Sequence, residues 1–294
     1  MNFRQVRKKI KTVENVKKIT NAMQMVSAVK MKKAQKLALE GREYRSMLDA
    51  VLQKIISNTS DLKGKNIPWL AQYESDKSLY IVISSNKGLC GAFHAYLLRF
   101  VLENINEKKD EFITVGNKGS QFLGLIGATV IADFSQNLPF IDSVSSIFSL
   151  IQEKYITGSY KNVYLIYNKF VSSFKFEPTK VTLLPISEIT SLEGGEQTKE
   201  AKELSKSDYL IEPSVDEILL PLINDYLREK IRSAISDSEA SEHSARMMAM
   251  KSATDNATEL VFTLTLLRNK LRQSQITGEL LDMVAAKTSS ESSN

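Results

Sequence analysis

A long run without glycine or proline near the C-terminus constrains this chain more than any other feature. Neither residue occurs from Leu222 to Thr277, and no proline follows Pro221. Because glycine and proline are the residues that most readily interrupt an α-helix, the run predicts one unbroken helix. At 1.5 Å per residue such a helix is about 80 Å long. A helix of that length cannot fold back into a compact core, so it needs another segment to pair with.

Apolar residues follow helical spacing at both ends of this run, and we place the helix at 212–286. They are Leu219, Leu222, Ile223, Tyr226, Leu227, Ile231, Ala234 and Ile235, and then Leu260, Leu264, Leu267, Leu271, Leu280 and Val284. The middle, residues 233–257, is rich in Ser, Ala and Met. Small residues let helix backbones approach closely, and Met fills irregular gaps. The middle is therefore either an under-filled amphipathic helix or a helix gripped closely by another.

A second long helix is predicted over residues 1–60. No proline precedes Pro68, and Gly41 is the only glycine before Gly64. Its apolar residues recur about every 3.3 positions, which is typical of one seam in a short coiled coil. They are Val6, Ile10, Val13, Val16, Ile19, Met23, Val26 and Val29. We expect the two terminal helices to lie antiparallel, with the C-terminal end of the longer one projecting beyond its partner.

Positive charge is concentrated in the first predicted helix. The whole chain has a net charge of +5. Residues 1–45 hold thirteen Lys and Arg residues against three Glu residues, an excess of ten positive charges. A basic helix can meet nucleic acid, an anionic membrane or an acidic protein surface. A nucleic-acid arm does not need a regular apolar stripe, so we favour charges that flank a helical seam. Nucleic-acid or membrane-surface binding stays as the alternative.

The central part of the chain has the texture of an α/β domain. After a linker at 61–76, short apolar strands alternate with helical segments over 77–190, which predicts a mainly parallel five-stranded sheet in a three-layer arrangement. Pro178 places the fifth strand at an edge. Residues 191–211 are predicted as a loop and 287–294 as a disordered tail. The predicted strands are Ser78–Ser84, Phe112–Val115, Thr129–Ala132, Asn162–Asn168 and Phe176–Pro185.

No catalytic, cofactor-binding or metal site is predicted. The glycine-bearing turns at 85–91 and 116–119 match neither the dinucleotide-binding nor the P-loop pattern, so we interpret both as tight turns. Cys90 has only His94 nearby in sequence, and a histidine within a long helix, such as His243, usually packs or accepts a hydrogen bond. One cysteine excludes a disulfide framework and a cysteine-based metal cluster.

The composition is that of a soluble globular protein, with 43% hydrophobic and 25% charged residues. No apolar run approaches the roughly 20 residues that span a bilayer, and the N-terminus shows no secretory signal. From the residues alone we expect a cytosolic location.

Three motifs together make the chain resemble one family over its whole length. They are KITNAMQMV at 18–26 with KMKKA at 30–34, KGLCG at 87–91, and SEHSARMMAMKSATDNA at 241–257 followed by NKLRQSQITGEL at 269–280. The chain is similar to the gamma subunits of F-type ATP synthases, and the last motif is long and unusual. The resemblance implies a long antiparallel coiled coil on a three-layer α/β domain.

The resemblance also implies a mechanical and non-catalytic role. Members of the family form the central rotor shaft, which turns inside a ring of three alpha and three beta subunits. The α/β domain sits beside the epsilon subunit and the c-subunit ring, and ion flow through that ring drives ATP synthesis. The implied protein has no cofactor, binds no nucleic acid, and is peripheral to the cytoplasmic side of the bacterial inner membrane.

The motif near the C-terminus carries the first set of implied interaction residues. Arg272 and Gln273 match the family positions that bond to a loop of a beta subunit, a catch between rotor and stator. Thr277 and Glu279 lie one to two turns further along the same motif. We therefore expect these side chains to be exposed to a partner.

Two further sets of interaction residues are implied. Met23, with Lys18 and Lys30 nearby, matches the segment that faces the acidic lever region of the beta subunits. Tyr209 and Glu212 match the segment that touches the c-ring loops. The chain also departs from the family: Asn-Lys at 86–87 replaces Asp-Arg, Ala replaces Gly at 92, and Ile at 211 replaces a common aromatic residue. Thiol regulation is not expected, because Cys90 is the only cysteine.

Overall fold

A computed structural model describes residues 2–58, 68–71, 73–106, 109–186 and 215–291. Both predicted long helices are present, as α1 (Phe3–Asn58) and the final helix α5 (Val215–Glu291). α5 runs through Pro221 and ends beyond residue 286, within the stretch predicted as a disordered tail. It continues there because the tail contains no glycine or proline. The predicted loop at 191–211 lies outside the described residues.

The chain divides into two compact units. Met1–Ser27 with Met247–Asn294 forms the first, here called the helical unit. Ala28–Arg246 forms the second, here called the α/β unit, and it contains every strand. α1 and α5 are each a single continuous helix, and each contributes one part to the helical unit and another to the α/β unit.

A five-stranded sheet in the order β3-β2-β1-β4-β5 forms the centre of the α/β unit. β1 pairs in parallel with β2 and β4, and β2 pairs in parallel with β3. β5 is antiparallel to β4 and lies at an edge of the sheet. Pro178 has no amide hydrogen to donate, and an edge strand tolerates this because only one of its sides is paired with another strand. The mainly parallel five-stranded sheet is thereby confirmed. The strands are β1 (Ser78–Ile83), β2 (Glu111–Val115), β3 (Thr129–Asp133), β4 (Asn162–Ser172) and β5 (Lys175–Leu184).

Helices cover both faces of this sheet, as the predicted three-layer arrangement requires. They are α2 (Phe93–Asn104), α3 (Asn117–Leu125) and α4 (Val144–Ile156), together with parts of α1 and α5. Leu79, Ile81 and Ile83 of β1 face one way and join the core with α4, α1 and α5. Tyr80 and Val82 face the other way and pack with α2 and α3. The alternation along β1 therefore buries both faces, as expected of a central parallel strand.

Glycine occurs at 116 and 119, where α3 begins close against the end of β1, so residues 117–119 belong to the helix and not to the predicted turn. Gly116 has φ +98°, and a Cβ there would lie 2.7 Å from the Ser84 carbonyl carbon. The Ser84 hydroxyl donates to the Gly116 carbonyl oxygen at 3.0 Å and accepts from the Gly119 amide at 2.8 Å. Both glycines therefore allow close packing against Ser84.

Replacing Gly116 by alanine is expected to destabilise the α/β unit by about 2 to 4 kcal/mol, because the side chain meets backbone and the positive φ adds strain. Urea unfolding followed by Trp69 fluorescence measures the change, since this single tryptophan is buried in a core of the same unit. Gly124→Ala, in the helix that begins directly after Gly116, is the matched control. A Cβ at Gly124 meets nothing within 4 Å, so that variant should be neutral or slightly more stable. Equal stability of both variants would contradict the packing role.

Within the helical unit the two helices are antiparallel. The Thr20 and Thr254 hydroxyls lie 2.8 Å apart. Val6 and Ile10 share an apolar cluster with Leu264. Numbers therefore rise along α1 as they fall along α5, and the predicted antiparallel order is confirmed for this unit. The same order holds in the α/β unit, where Arg45 of α1 pairs with Glu229 of α5 at 3.5 Å.

The buried seam of α1 differs from the predicted one. Val16 and Val29 are 47% and 70% exposed, and Ile19 and Val26 lie between these values. The seam instead keeps a seven-residue period through small and polar residues, because a helix in a coiled coil repeats every 3.5 residues. Its buried or half-buried members at every seventh position are Val6, Val13, Thr20, Ser27, Ala34, Gly41, Leu48 and Ile55.

Candidate functional site

The C-terminal part of α5 extends past the end of its partner in the helical unit. Because Thr20 lies opposite Thr254, α1 begins at Phe3 about level with Leu271. Residues 272–291 therefore continue for about 30 Å without α1 beside them. The expectation of a projecting C-terminal end is met within this unit.

All four predicted residues of the C-terminal motif lie on this extension and are exposed. Within the described part of the chain, the Arg272 guanidinium and the Gln273 carboxamide have no hydrogen-bond or ion-pair partner. The Thr277 hydroxyl donates to the Gln273 backbone carbonyl at 2.9 Å. Gln275 donates to the Glu279 carboxylate at 3.1 Å. Arg272 and Gln273 thus remain available to bind a group outside the described chain.

Two other predicted residues of the helical unit, Lys18 and Met23, lie apart from this group. Lys18 is exposed and Met23 half-buried on α1 of the helical unit, about 25 to 30 Å along the pair from the level of Arg272. Lys30 is exposed and belongs to the α/β unit. Tyr209 and Glu212 lie outside the described residues. Within the helical unit the predicted residues therefore form two separate candidate contact points.

The helical unit has an exposed apolar surface that was not predicted from the sequence. On α1 it includes Val16, Ile19 and Val26, which the prediction had assigned to the buried seam. On α5 it includes Phe262, Leu266, Leu281, Met283 and Val284. The sequence did contain a signal for it. The apolar residues of α1 recur about every 3.3 positions, whereas a buried coiled-coil seam recurs every 3.5, so the apolar stripe turns gradually away from the seam and toward the outer surface. Exposed apolar surface of this extent is typical of a protein–protein contact.

In the α/β unit, a row of polar side chains fixes α5 to the edge of the sheet where the parallel strands end. The Ser238 hydroxyl donates to the Ile83 carbonyl at the end of β1, at 3.4 Å. The Ser241 hydroxyl donates to the Asn168 carbonyl of β4 at 3.0 Å, and the Ser244 hydroxyl to the Ser173 carbonyl in the β4–β5 turn at 2.5 Å. All three serines are buried.

Arg246 completes this row, which we call the serine–arginine row (Ser238, Ser241, Ser244 and Arg246). Its guanidinium donates to the Lys87 carbonyl at 3.0 Å and twice to the Gly88 carbonyl at 3.2 Å. It also forms an ion pair with Glu242 at 2.6 Å, and both side chains are buried. The turn at 85–91 is thereby held by a charged group on α5.

The buried charge of Arg246 affects the hydrogen bonding and the pKa of its neighbours His243 and Glu242. Arg246 Nη1 lies 3.3 Å from His243 Nδ1, which must accept because a guanidinium only donates. Burial, with Arg246 and Lys30 nearby, lowers the pKa of His243 to about 4, so its ring is neutral at pH 7. Burial also raises the pKa of Glu242, against the opposing pull of Arg246. His243 is thus a hydrogen-bond acceptor.

Glu239 gives the α/β unit a pH-dependent stability. Burial and the neighbouring Glu242 raise its pKa to about 7, although Lys30 and Lys33 oppose the shift. Its folded pKa lies above its unfolded value of 4.5, so its stabilising contribution is full below pH 4.5 and is lost as pH rises through 7.

Glu239→Gln should therefore remove a pH-dependent loss of stability. Between pH 5.5 and 7.5 the wild-type free energy of unfolding should fall relative to that of the variant, by on the order of 1 kcal/mol. Above pH 8 the difference should stay constant. Urea titrations at four pH values, read by Trp69 fluorescence, test this. A constant difference throughout that range would show that Glu239 titrates normally.

Cys90 and His94 do not form a nucleophilic pair. Burial raises the pKa of the Cys90 thiol, which favours its neutral form. His94 Nε2 lies 3.2 Å from the Ser85 hydroxyl and 3.4 Å from the Lys87 carbonyl, contacts that fasten the turn. Both residues therefore belong to the structure of this turn.

A search of the described helices for an apolar stretch long enough to cross a bilayer finds none. Among the same residues no group of three or more His, Cys, Asp or Glu side chains is placed to hold a metal ion.

Comparison with known proteins agrees with this geometry. The ATP synthase family model "ATP-synt" matches residues 2–289. An ATP synthase gamma chain of Pelotomaculum thermopropionicum is 35% identical over 288 residues, covering 96% of this chain and 97% of the relative. That of Desulforudis audaxviator is 36% identical over 291 residues, with the same coverage.

Solved structures with the same fold come from mitochondrial ATP synthases. A chain of the Tetrahymena thermophila central stalk and c-ring structure has a TM-score of 0.57 at 25% identity, covering 80% of this chain and 99% of its own length. A chain of the Euglena gracilis OSCP/F1/c-ring structure in rotational state 3 has a TM-score of 0.67 at 21% identity, covering 98% and 94%.

The fold defines a class of protein that has both an α/β domain and long antiparallel helices, and the similar ATP synthase chains share this fold. Within that class, the chain belongs to the ATP synthase gamma chain family.

Proposed function

We propose that this chain is the central rotor subunit of an F-type ATP synthase and couples rotation of the c ring to conformational change at the beta-subunit catalytic sites. One observation carries the proposal: the similarity to gamma chains extends over 96% of the sequence at about 35% identity. A match of this length includes both long helices and the α/β domain, so it concerns the whole mechanical element.

The helical unit supports a shaft that works inside a protein ring. Its seam of small and β-branched residues permits close packing of two helices, and the absence of glycine from 222 to 277 favours stiffness. Its outer surface and the α5 extension expose apolar side chains that need a protein partner to cover them. In the proposed complex the ring of three alpha and three beta subunits is this partner, and the helices lie in its central opening.

The proposal assigns the contacts as follows. Arg272 and Gln273 form the catch on a loop of a beta subunit, with Thr277 and Glu279 on the same extension. Lys18, Met23 and Lys30 face the acidic lever region of the beta subunits, which gives the basic excess of α1 an acidic protein partner. Each of these lysines is exposed, as such a contact requires.

In this proposal the α/β unit is the foot of the rotor. It contacts the epsilon subunit and the c ring, with Tyr209 and Glu212 touching the c-ring loops. The chain itself performs no catalysis in this proposal, because hydrolysis and synthesis occur in the beta subunits. It is peripheral to the cytoplasmic side of the membrane through the complex.

Reconstitution tests the proposal. Purified chain is mixed with the alpha and beta subunits of the same organism, and assembly and ATP hydrolysis are followed. A complex with one copy per three beta subunits, whose hydrolysis depends on this chain, is the expected result.

The alternative function is a nucleic-acid or membrane-surface protein that uses the basic first helix. It predicts no association with alpha and beta subunits. It also predicts binding to DNA or anionic vesicles that weakens steeply with salt, and this result would overturn the rotor proposal.

A further inference from the structure

We infer that the serine–arginine row is the torsional joint of the rotor, the set of contacts that makes α5 turn together with the α/β unit. This inference rests on the proposed rotor function and goes beyond it by assigning torque transfer inside the chain to named residues. It concerns Ser238, Ser241, Ser244 and Arg246, all of which lie within the α/β unit.

The geometry of the acceptors is the first argument. The four side chains reach carbonyls on different segments: the end of β1, β4, the β4–β5 turn and the turn at 85–91. The donors are spread over about 12 Å of helix, from residue 238 to residue 246. A rotation of α5 about its own axis would therefore break bonds to several segments at once.

The kind of contact is the second argument. The adjoining part of α5 meets the core through Ile231, Ala234 and Ile235. Apolar packing of this kind is non-directional and resists sliding only through the shape of the side chains. Hydrogen bonds lose most of their strength when the donor angle changes, so a buried row of them resists rotation specifically.

Arg246 is the strongest member of the row. It holds the Lys87 and Gly88 carbonyls while its own position is fixed by the ion pair with Glu242. Hydrogen bonds from a charged donor are roughly twice as strong as neutral ones. In the turn that it holds, Leu89 has φ +62°, a conformation uncommon for a residue other than glycine. Arg246 is thus a positioning residue, which acts through the turn and the sheet.

The continuity of α5 is the third argument, because it allows a rotation at the row to be transmitted along the helix. α5 is unbroken from Val215 to Glu291, so a rotation imposed on it at the row is carried by the helix itself. In the proposed rotor the α/β unit receives rotation from the c ring and α5 delivers it to the beta subunits. At every rotational step, torque then passes from the α/β unit to α5 through the contacts that fix α5 to the sheet.

The test measures torsional stiffness in the assembled complex. The alpha–beta ring is fixed to a surface, a bead is attached to the α/β unit, and the angular variance of the bead is recorded in a stalled state. Arg246→Lys keeps the charge but cannot make the several parallel bonds of a guanidinium. We expect it to raise the angular variance at least twofold.

Arg232→Lys is the matched control. Arg232 lies on α5 in the same unit and also pairs with a glutamate one turn away, Glu229 at 3.2 Å, but its side chain is largely exposed. It should leave the variance at the wild-type value. Ser241→Ala and Ser244→Ala remove one bond each without touching a charge, and they provide the measurement should Arg246→Lys fail to fold. Each should raise the variance measurably.

The outcomes separate the two proposals. Wild-type variance in Arg246→Lys and in both serine variants would overturn the joint while leaving the rotor function intact. An equal rise in Arg232→Lys would also overturn it, because the effect would then be general to α5. Failure of the wild-type chain to assemble with alpha and beta subunits would instead reject the rotor function itself.

Discussion

Alanine at both Arg272 and Gln273 is expected to weaken binding of this chain to the alpha–beta ring by about 10- to 100-fold. Both side chains are exposed on the α5 extension, and within the described chain neither is engaged. A guanidinium and a carboxamide at adjacent positions offer several donors to one loop, and removing such a group typically costs about 2 kcal/mol. The measurement is a titration of the ring with purified chain, read by appearance of ATP hydrolysis.

The control for this double variant is Lys270→Ala with Ser274→Ala. It removes one positive charge and one polar side chain from exposed positions of the same helix. It should bind within about twofold of wild type if the loss is specific to the catch. The circular dichroism of both variants should be unchanged, since neither alters a buried contact. Equal affinity of Arg272→Ala/Gln273→Ala and wild type would remove the catch from these residues.

The architecture was predictable because its signals are local. Long runs without glycine or proline marked α1 and α5, and β-branched runs marked the strands, while Pro178 correctly placed β5 at an edge. The seam of α1 was not predictable in the same way. Thr20, Ser27 and Ala34 are all buried, and Thr20 lies against Thr254 of α5, yet hydrophobicity alone gives no reason to choose them over Val16 or Val29.

The candidate sites divide along the same line. Arg272 and Gln273 were named through resemblance to a family, and the structure adds that they are exposed and unengaged within the described chain. The serine–arginine row was missed because serine in a helix normally indicates small size or solvent exposure. Its only local signal is the three-residue spacing of Ser238, Ser241 and Ser244, which places them on one face. Their function depends on carbonyls more than 70 residues away.

Replacing Leu264 by alanine is expected to open the end of the helical pair. Leu264 is 6% exposed and closes an apolar cluster with Val6 and Ile10. Truncating a buried leucine removes its transfer free energy and leaves a cavity, a loss of about 2 to 4 kcal/mol. Because helices in this unit are held mainly by this seam, the loss should appear as local opening. Hydrogen exchange at the α1 amides of residues 6–13 should lose about 100-fold in protection.

Leu266→Ala is the matched control, since Leu266 is 55% exposed and lies two residues along the same helix. Its protection factors should remain near wild type in the free chain. In the assembled complex the proposed function predicts a different result for the two variants, because Leu266 belongs to the surface that faces the ring, whereas Leu264 is buried in the cluster with Val6 and Ile10. Leu266→Ala should then weaken assembly without opening the pair. Loss of protection in both variants would mean that the buried cluster and the outer surface of the pair are not distinct.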